Sequence, residues 1–292
     1  MSKLEPVLDQ AMGLRRLAAP GPVQVIAVAS GKGGVGKTNV STNLSLALVE
    51  RGRSVLLMDA DLGLANVDVL LDLRPAFNLA DVISGERTLE EVIVQGPGGI
   101  QVIPAASGIK AMAELSPAQH AGLIRAFGEL SIPVDTLIVD TAAGISDSVV
   151  SFSRAAHEVV VVVCDDPASM ADAYALIKVL SRDHGVTDFR ILANMTQGPL
   201  VGRQLFARLV AATERYLTAR LSYFGAIPYD EYLLRAVQTQ RPVMSAYPSS
   251  KAARALKNLA VLADKWPRAQ GPSGRLEFFV ERLIAARGEL TP

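Results

Sequence analysis

The stretch Ser30-Gly31-Lys32-Gly33-Gly34-Val35-Gly36-Lys37-Thr38 constrains this chain more than any other. Every fixed position of G-x-x-x-x-G-K-[ST] is present in it. The apolar run Val23–Val28 before it reads as a buried strand. Asn39–Arg51 after it reads as a helix with Leu44, Ala47 and Leu48 along one side. Between a strand and a helix, glycine backbone N–H groups can curl around phosphate oxygens, and the helix N-terminus adds partial positive charge. Lys37 supplies a cation for the β- and γ-phosphates and the Thr38 hydroxyl is placed for Mg²⁺. Gly31, Lys32, Gly33, Gly34, Val35, Gly36 and Asn39 complete the expected nucleotide-binding segment.

Two further predicted strands end in carboxylates. Ser54–Met58 runs into Asp59-Ala60-Asp61, and Thr136–Val139 runs into Asp140-Thr141-Ala142-Ala143-Gly144. Ligands of open α/β sheets sit at the carboxyl ends of strands, so these groups face the same crevice as the glycine loop. Carboxylates there can hold Mg²⁺ through its waters and orient an attacking water. Asp140 reads as the Walker B position, with Gly144 offering an N–H to the γ-phosphate. One such aspartate alone is more often a turn or helix cap. Two converging on a phosphate loop favour the metal reading.

From residue 23 strands and helices alternate, which predicts an α/β fold with a mostly parallel central sheet covered on both faces. The remaining predicted strands are Ile100–Pro104, Glu158–Cys164, Phe189–Ala193 and Tyr223–Ile227; helix starts are read at Ser116-Pro117 and at Ser169, with a stop at Gly185. Residues 4–17 have helical apolar spacing and Ala18–Pro22 reads as a linker, so the chain divides into 1–22, a 23–266 core, and 267–292. In the last part a linker, Pro267–Gly274, leads to a helix at Arg275–Arg287. That helix carries Leu276, Phe279, Val280, Leu283 and Ile284 on one side, a face for membrane or for its own domain.

The 29 basic and 29 acidic side chains cancel, so no global basic field argues for nucleic acid, and no direct nucleic-acid binding is expected. Cys164 is the single cysteine, which excludes an intrachain disulfide and a thiol-ligated iron–sulfur centre and fits a reducing cytosol. Residues 1–20 lack the apolar core of a signal peptide, and the strong apolar run Val159–Cys164 is too short to span a bilayer. The expectation is a soluble chain, at most resting on a membrane surface.

Lys32 is a second lysine that a generic phosphate loop does not require. K-G-G-x-G-K-T resembles the deviant Walker A motif of the MinD/ParA group of dimerising P-loop ATPases. The resemblance implies ATP and Mg²⁺ as cofactors and a homodimer in the ATP-bound state, with Lys32 reaching the partner subunit's phosphates. It also implies that Asp61 positions the attacking water, that Asp59 assists the metal, and that Asn194, Pro228 and Asp230 surround the adenine. Ala142 departs from the proline common after the Walker B strand, which leaves the stiffness of that loop in question.

Asp9-Gln10-Ala11-Met12-Gly13-Leu14-Arg15 fits D-Q-A-x-x-L-R and resembles the N-terminal activator motif of the FlhG or FleN flagellar number regulators. Asp61–Asp68 and Pro104–Gly108 extend that likeness along the core. It implies three outputs: activation of an FlhF-type GTPase, with Asp9, Gln10, Ala11, Leu14 and Arg15 as the contact; regulation of a FleQ-type transcription activator; and peripheral contact of the C-terminal helix with the cytoplasmic face of the inner membrane, at the cell pole. The competing readings are a septum- or chromosome-positioning ATPase and a metabolic P-loop ligase or kinase. A metabolic enzyme would need neither Lys32 nor the N-terminal motif.

Overall fold

The computed structural model describes residues 22–61, 66–105, 117–267 and 276–288. The predicted helix 4–17, its Asp9, Gln10, Ala11, Leu14 and Arg15, and most of both linkers lie outside the described residues. The strands are β1 (Gln24–Ser30), β2 (Val55–Ala60), β3 (Val94–Gln95), β4 (Gln101–Ile103), β5 (Thr136–Ala143), β6 (Glu158–Cys164), β7 (Asp188–Thr196) and β8 (Arg220–Pro228). The helices are α1 (Lys37–Val49), α2 (Val67–Leu70), α3 (Leu79–Ile83), α4 (Leu89–Val92), α5 (Pro117–Gly128), α6 (Asp147–Ala155), α7 (Pro167–Arg182), α8 (Pro199–Glu214), α9 (Glu231–Gln238), α10 (Val243–Ala246), α11 (Lys251–Ala263) and α12 (Leu276–Gly288).

The eight strands form one sheet in the order β3-β4-β2-β5-β1-β6-β7-β8. All neighbours are parallel except β3 and β4, an edge pair that the short Val94–Gln95 segment did not signal in sequence. β1 is buried along its whole length, as a central strand covered on both faces must be. On one face Ile26, Val28, Leu57 and Ile138 pack against Leu44 and Leu48 of α1 and Leu256 of α11. On the other, Val25, Leu56 and Leu137 meet Phe127 of α5, Phe152 of α6 and Phe279 of α12, while Val161 and Ile191 meet α7 and α8 through Leu176 and Leu205.

Two features of this frame set the crevice. β5 continues four residues past its predicted end, because Thr141 donates to the Val28 carbonyl and Ala143 pairs with Ser30 across a register shift. In the β2–β5 register Asp59 lies beside Asp140. Side chains of residues paired in register share a sheet face, so both carboxylates point the same way.

Helix α7 starts at Pro167, two residues before the predicted Ser169. The Asp166 carboxylate is the cap, accepting the Ser169 N–H at 2.9 Å, and the Ser169 hydroxyl accepts the Cys164 N–H. The C-terminal helix is docked: Phe279, Val280 and Leu283 are each 1% exposed, with Ile284 packed beside them. Of the two readings left open for that face, the domain-bound one is observed. Among the described residues, no helix is long and apolar enough to cross a membrane.

Candidate functional site

The phosphate loop spans Ser30–Gly36, from the end of β1 to the N-terminus of α1. Gly36 caps α1 in the left-handed region (φ 82°), and a Cβ there would meet the Asn194 amide nitrogen at 2.5 Å. At Gly31 a Cβ would meet the Asp172 carbonyl of α7 at 2.1 Å, so only glycine lets that helix approach. A cavity of about 610 Å³ opens over the loop, lined by Lys32–Asn39 and Asp61.

Beneath it Lys37 is buried, its Nζ 3.1 Å from Asp140 Oδ1, and the Ser41 hydroxyl donates to the same oxygen at 2.7 Å. Asp140 Oδ2 is buried and has no hydrogen-bond partner among the described residues. A buried carboxylate oxygen left over beside a cation fits the outer shell of a Mg²⁺ ion, whose waters would donate to it.

Asp59, expected to assist the metal, accepts three backbone N–H groups. Its Oδ1 accepts the Asp61 N–H at 3.0 Å, and its Oδ2 accepts the Asn66 and Val67 N–H groups at 3.0 and 3.1 Å. Both oxygens are thus engaged in fixing the ends of the segment that carries Asp61. Burial pushes the Asp59 pKa up to about 6, against the downward pull of the Val67 N–H, and the neighbouring Asp140 charge pushes the same way as burial. Asp61 lines the cavity, and its Oδ2 accepts from the Asn66 side chain at 3.2 Å.

A family model for ParA, described as NUBPL iron-transfer P-loop NTPase, matches residues 22–262. Antiactivator FleN of Pseudomonas aeruginosa is 60% identical over 271 residues, covering 93% of this chain and 97% of that protein. The chain belongs to the FleN/FlhG group of MinD/ParA-type ATPases. Flagellum site-determining protein YlxH of Helicobacter pylori is 33% identical, covering 92% of each chain. A solved structure of the septum site-determining protein MinD from Pyrococcus horikoshii, complexed with Mg-ADP, matches with a TM-score of 0.64 at 25% identity, covering 83% of this chain and 96% of that one.

Three positions expected to touch nucleotide make hydrogen bonds within the chain. The Gly144 N–H donates to the Ser30 carbonyl at 2.8 Å, because the lengthened β5 runs on beside the loop. Asn194 is buried and donates from Nδ2 to the Val35 carbonyl at 2.7 Å, tying the tip of β7 to the phosphate loop; its Oδ1 has no partner among the described residues. Asp230 caps two helices at once, accepting the Tyr232 N–H of α9 at 3.0 Å and the Ala252 N–H of α11 at 2.8 Å. Pro228 lines a separate cavity of about 330 Å³ beside α11. Cys164 sits near the Val35 carbonyl, and burial pushes its thiol up to about 11, so it is not a thiolate at neutral pH.

The cavity wall includes residues that pattern reading passed over: Val69 and Leu70 on one side, Met195, Leu234 and Val237 on the other. Gln240 joins the two sides by donating to the Val69 carbonyl at 2.8 Å. One signal was available. Apolar residues follow Asp230 in a segment otherwise polar, and Tyr232, Leu234 and Val237 are 48%, 44% and 37% exposed on α9.

Proposed function

We propose that this ATPase is a nucleotide-driven switch that sets flagellar number and placement. In the ATP state two copies join over their crevices, with Lys32 reaching the partner's phosphates. Thr38 and Asp140 would hold Mg²⁺ through its waters, which offsets phosphate charge when the ion is bound. Lys37 neutralises the β- and γ-phosphates, and Asp61 orients the attacking water from a loop that Asp59 anchors. Hydrolysis then returns the pair to single chains. The outputs are restraint of a FleQ-type transcription activator and, through Asp9–Arg15 with Gln10 at the GTP site, stimulation of an FlhF-type GTPase. The likeness to Antiactivator FleN over nearly the whole of both chains carries this reading.

Contact with the inner membrane at the cell pole requires α12 to leave its own domain. Three buried large side chains contribute about 5–9 kcal/mol gross. Lipid would bury much of the same face, so undocking exchanges one apolar setting for another, and a nucleotide signal can tip it.

The test is capture of a purified FleQ-type activator by the chain with ATP, with ADP, and by Lys32→Ala with ATP. Capture with ATP alone, lost in the variant, is expected. Equal capture in all three would show that no ATP-built dimer controls the output.

A further inference from the structure

Asn66 stands at the N-cap of α2, yet its side chain does not serve that helix. An Asn in this position ordinarily turns its oxygen back on the second or third N–H of the helix. Here the Val69 N–H goes to Asp68 Oδ1 at 2.8 Å, and the Val67 N–H goes to Asp59 Oδ2 at 3.1 Å. The Asn66 amide instead donates from Nδ2 to Asp61 Oδ2 at 3.2 Å, five residues back in the chain. Both side chains line the cavity over the phosphate loop.

The backbone that carries this amide is held on both sides. The Asn66 N–H donates to Asp59 Oδ2 at 3.0 Å, and its carbonyl accepts the Leu70 N–H at 3.0 Å. Chemistry fixes which end of the amide faces Asp61, because a carboxylate accepts and only the nitrogen donates. A hydrogen bond to a charged oxygen is shorter-ranged in its tolerance and stronger than one between neutral groups. A donor fixed on one carboxylate oxygen sets the plane of the whole group.

We propose that Asn66 is a positioning residue for ATP hydrolysis. Its amide sets the plane of the Asp61 carboxylate, and so the direction in which that group meets the attacking water. The inference rests on the reading of Asp61 as the residue that orients the water. A reacting group displaced by about 1 Å can lose about 10²-fold in rate, so orientation at this position is worth a dedicated donor. Truncating Asn66 at Cβ leaves its two backbone bonds in place and removes no helix cap. Loss of the amide therefore falls on turnover and spares the fold, nucleotide binding and assembly.

The experiment measures Mg-ATP turnover, ATP affinity, solution mass with ATP, and Tm. It compares the unmodified full chain with Asn66→Ala, Asn66→Asp, Asp61→Ala and the double variant Asp61→Ala, Asn66→Ala. Asn66→Asp keeps the shape of the side chain and replaces its donor by an acceptor. Both Asn66 variants should lose kcat by about 10-fold or more, the scale of one hydrogen bond to a charged group. In Asn66→Ala the ATP affinity, the mass with ATP and Tm should be unchanged. The double variant should turn over no more slowly than Asp61→Ala, since no carboxylate is left to position. Full turnover in both Asn66 variants, with Asp61→Ala impaired, overturns the inference and leaves the Asp61 reading standing. Turnover retained in Asp61→Ala overturns both. A fall in Tm, ATP affinity or mass in Asn66→Ala, or a further loss in the double variant, shows Asn66 acting other than through Asp61 and also overturns the inference.

Discussion

Lys32 Nζ lies 3.4 Å from Asp166 Oδ1, so the extra lysine of the phosphate loop is paired within its own chain, to the residue that caps α7. Both side chains are 42% exposed, which makes the pair a weak one that a better anion can displace. A partner's triphosphate is such an anion. Asp166 is thus a latch on the residue proposed to act in trans.

Removing the latch without removing the cap tests this. Asp166→Asn keeps an N-cap acceptor for α7 and deletes the charge. Dimer affinity at saturating ATP, read by sedimentation, should rise by up to about five-fold. Lys32→Ala should bind ATP and stay monomeric. Weaker dimerisation in Asp166→Asn would mean that the pair supports the interface instead of competing with it.

Asp61→Ala should bind ATP, accumulate the dimer, and lose turnover by about 10²-fold or more, the scale for removing a group that positions a reacting proton. Turnover and solution mass are measured on one sample. Unchanged hydrolysis would remove Asp61 from the water's path.

Asn194 separates loop positioning from base reading. Asn194→Ala strips the Val35 carbonyl of its donor, a buried loss of about 1–3 kcal/mol in stability. Since the bond holds the phosphate loop, ATP and GTP should weaken together. A change confined to ATP, seen by calorimetry with both nucleotides, would return Asn194 to the adenine edge.

Asp59 carries a pH signature. Its folded-state pKa of about 6 stands above the ordinary 3.8, so between these values the folded chain holds more protons than the unfolded one. Its contribution to stability therefore falls as pH rises from about 4 to 6, and is constant outside that window. Carbon NMR of the carboxyl should show a midpoint near 6 without nucleotide. A midpoint near 4 in the free protein would contradict the burial seen here.

Phe279 tests the docking of α12. Phe279→Ala removes a fully buried ring and should cost about 3–5 kcal/mol in unfolding free energy, read by urea titration. A cost under about 1 kcal/mol would place this helix off the domain in solution.

The phosphate loop, the parallel sheet and the strand-end aspartates were legible in the sequence because each is a local pattern. Glycine spacing, Val- and Ile-rich runs and a carboxylate at a strand end all lie within a few residues of one another, and propensity and burial act at that range. What Asn194, Gly144 and Asp230 do was not legible. Their partners Val35, Ser30 and Ala252 are 159, 114 and 22 residues away. Sheet register brings one of these pairs together: a shift at Val28/Ser30 carries β5 past its predicted end and uses the Gly144 N–H. The face of α12 shows the same division. The sequence by itself determined that Phe279, Val280 and Leu283 form an apolar stripe, while the choice between lipid and domain came from tertiary structure, because only the assembled α5 and α6 present the surface that covers it.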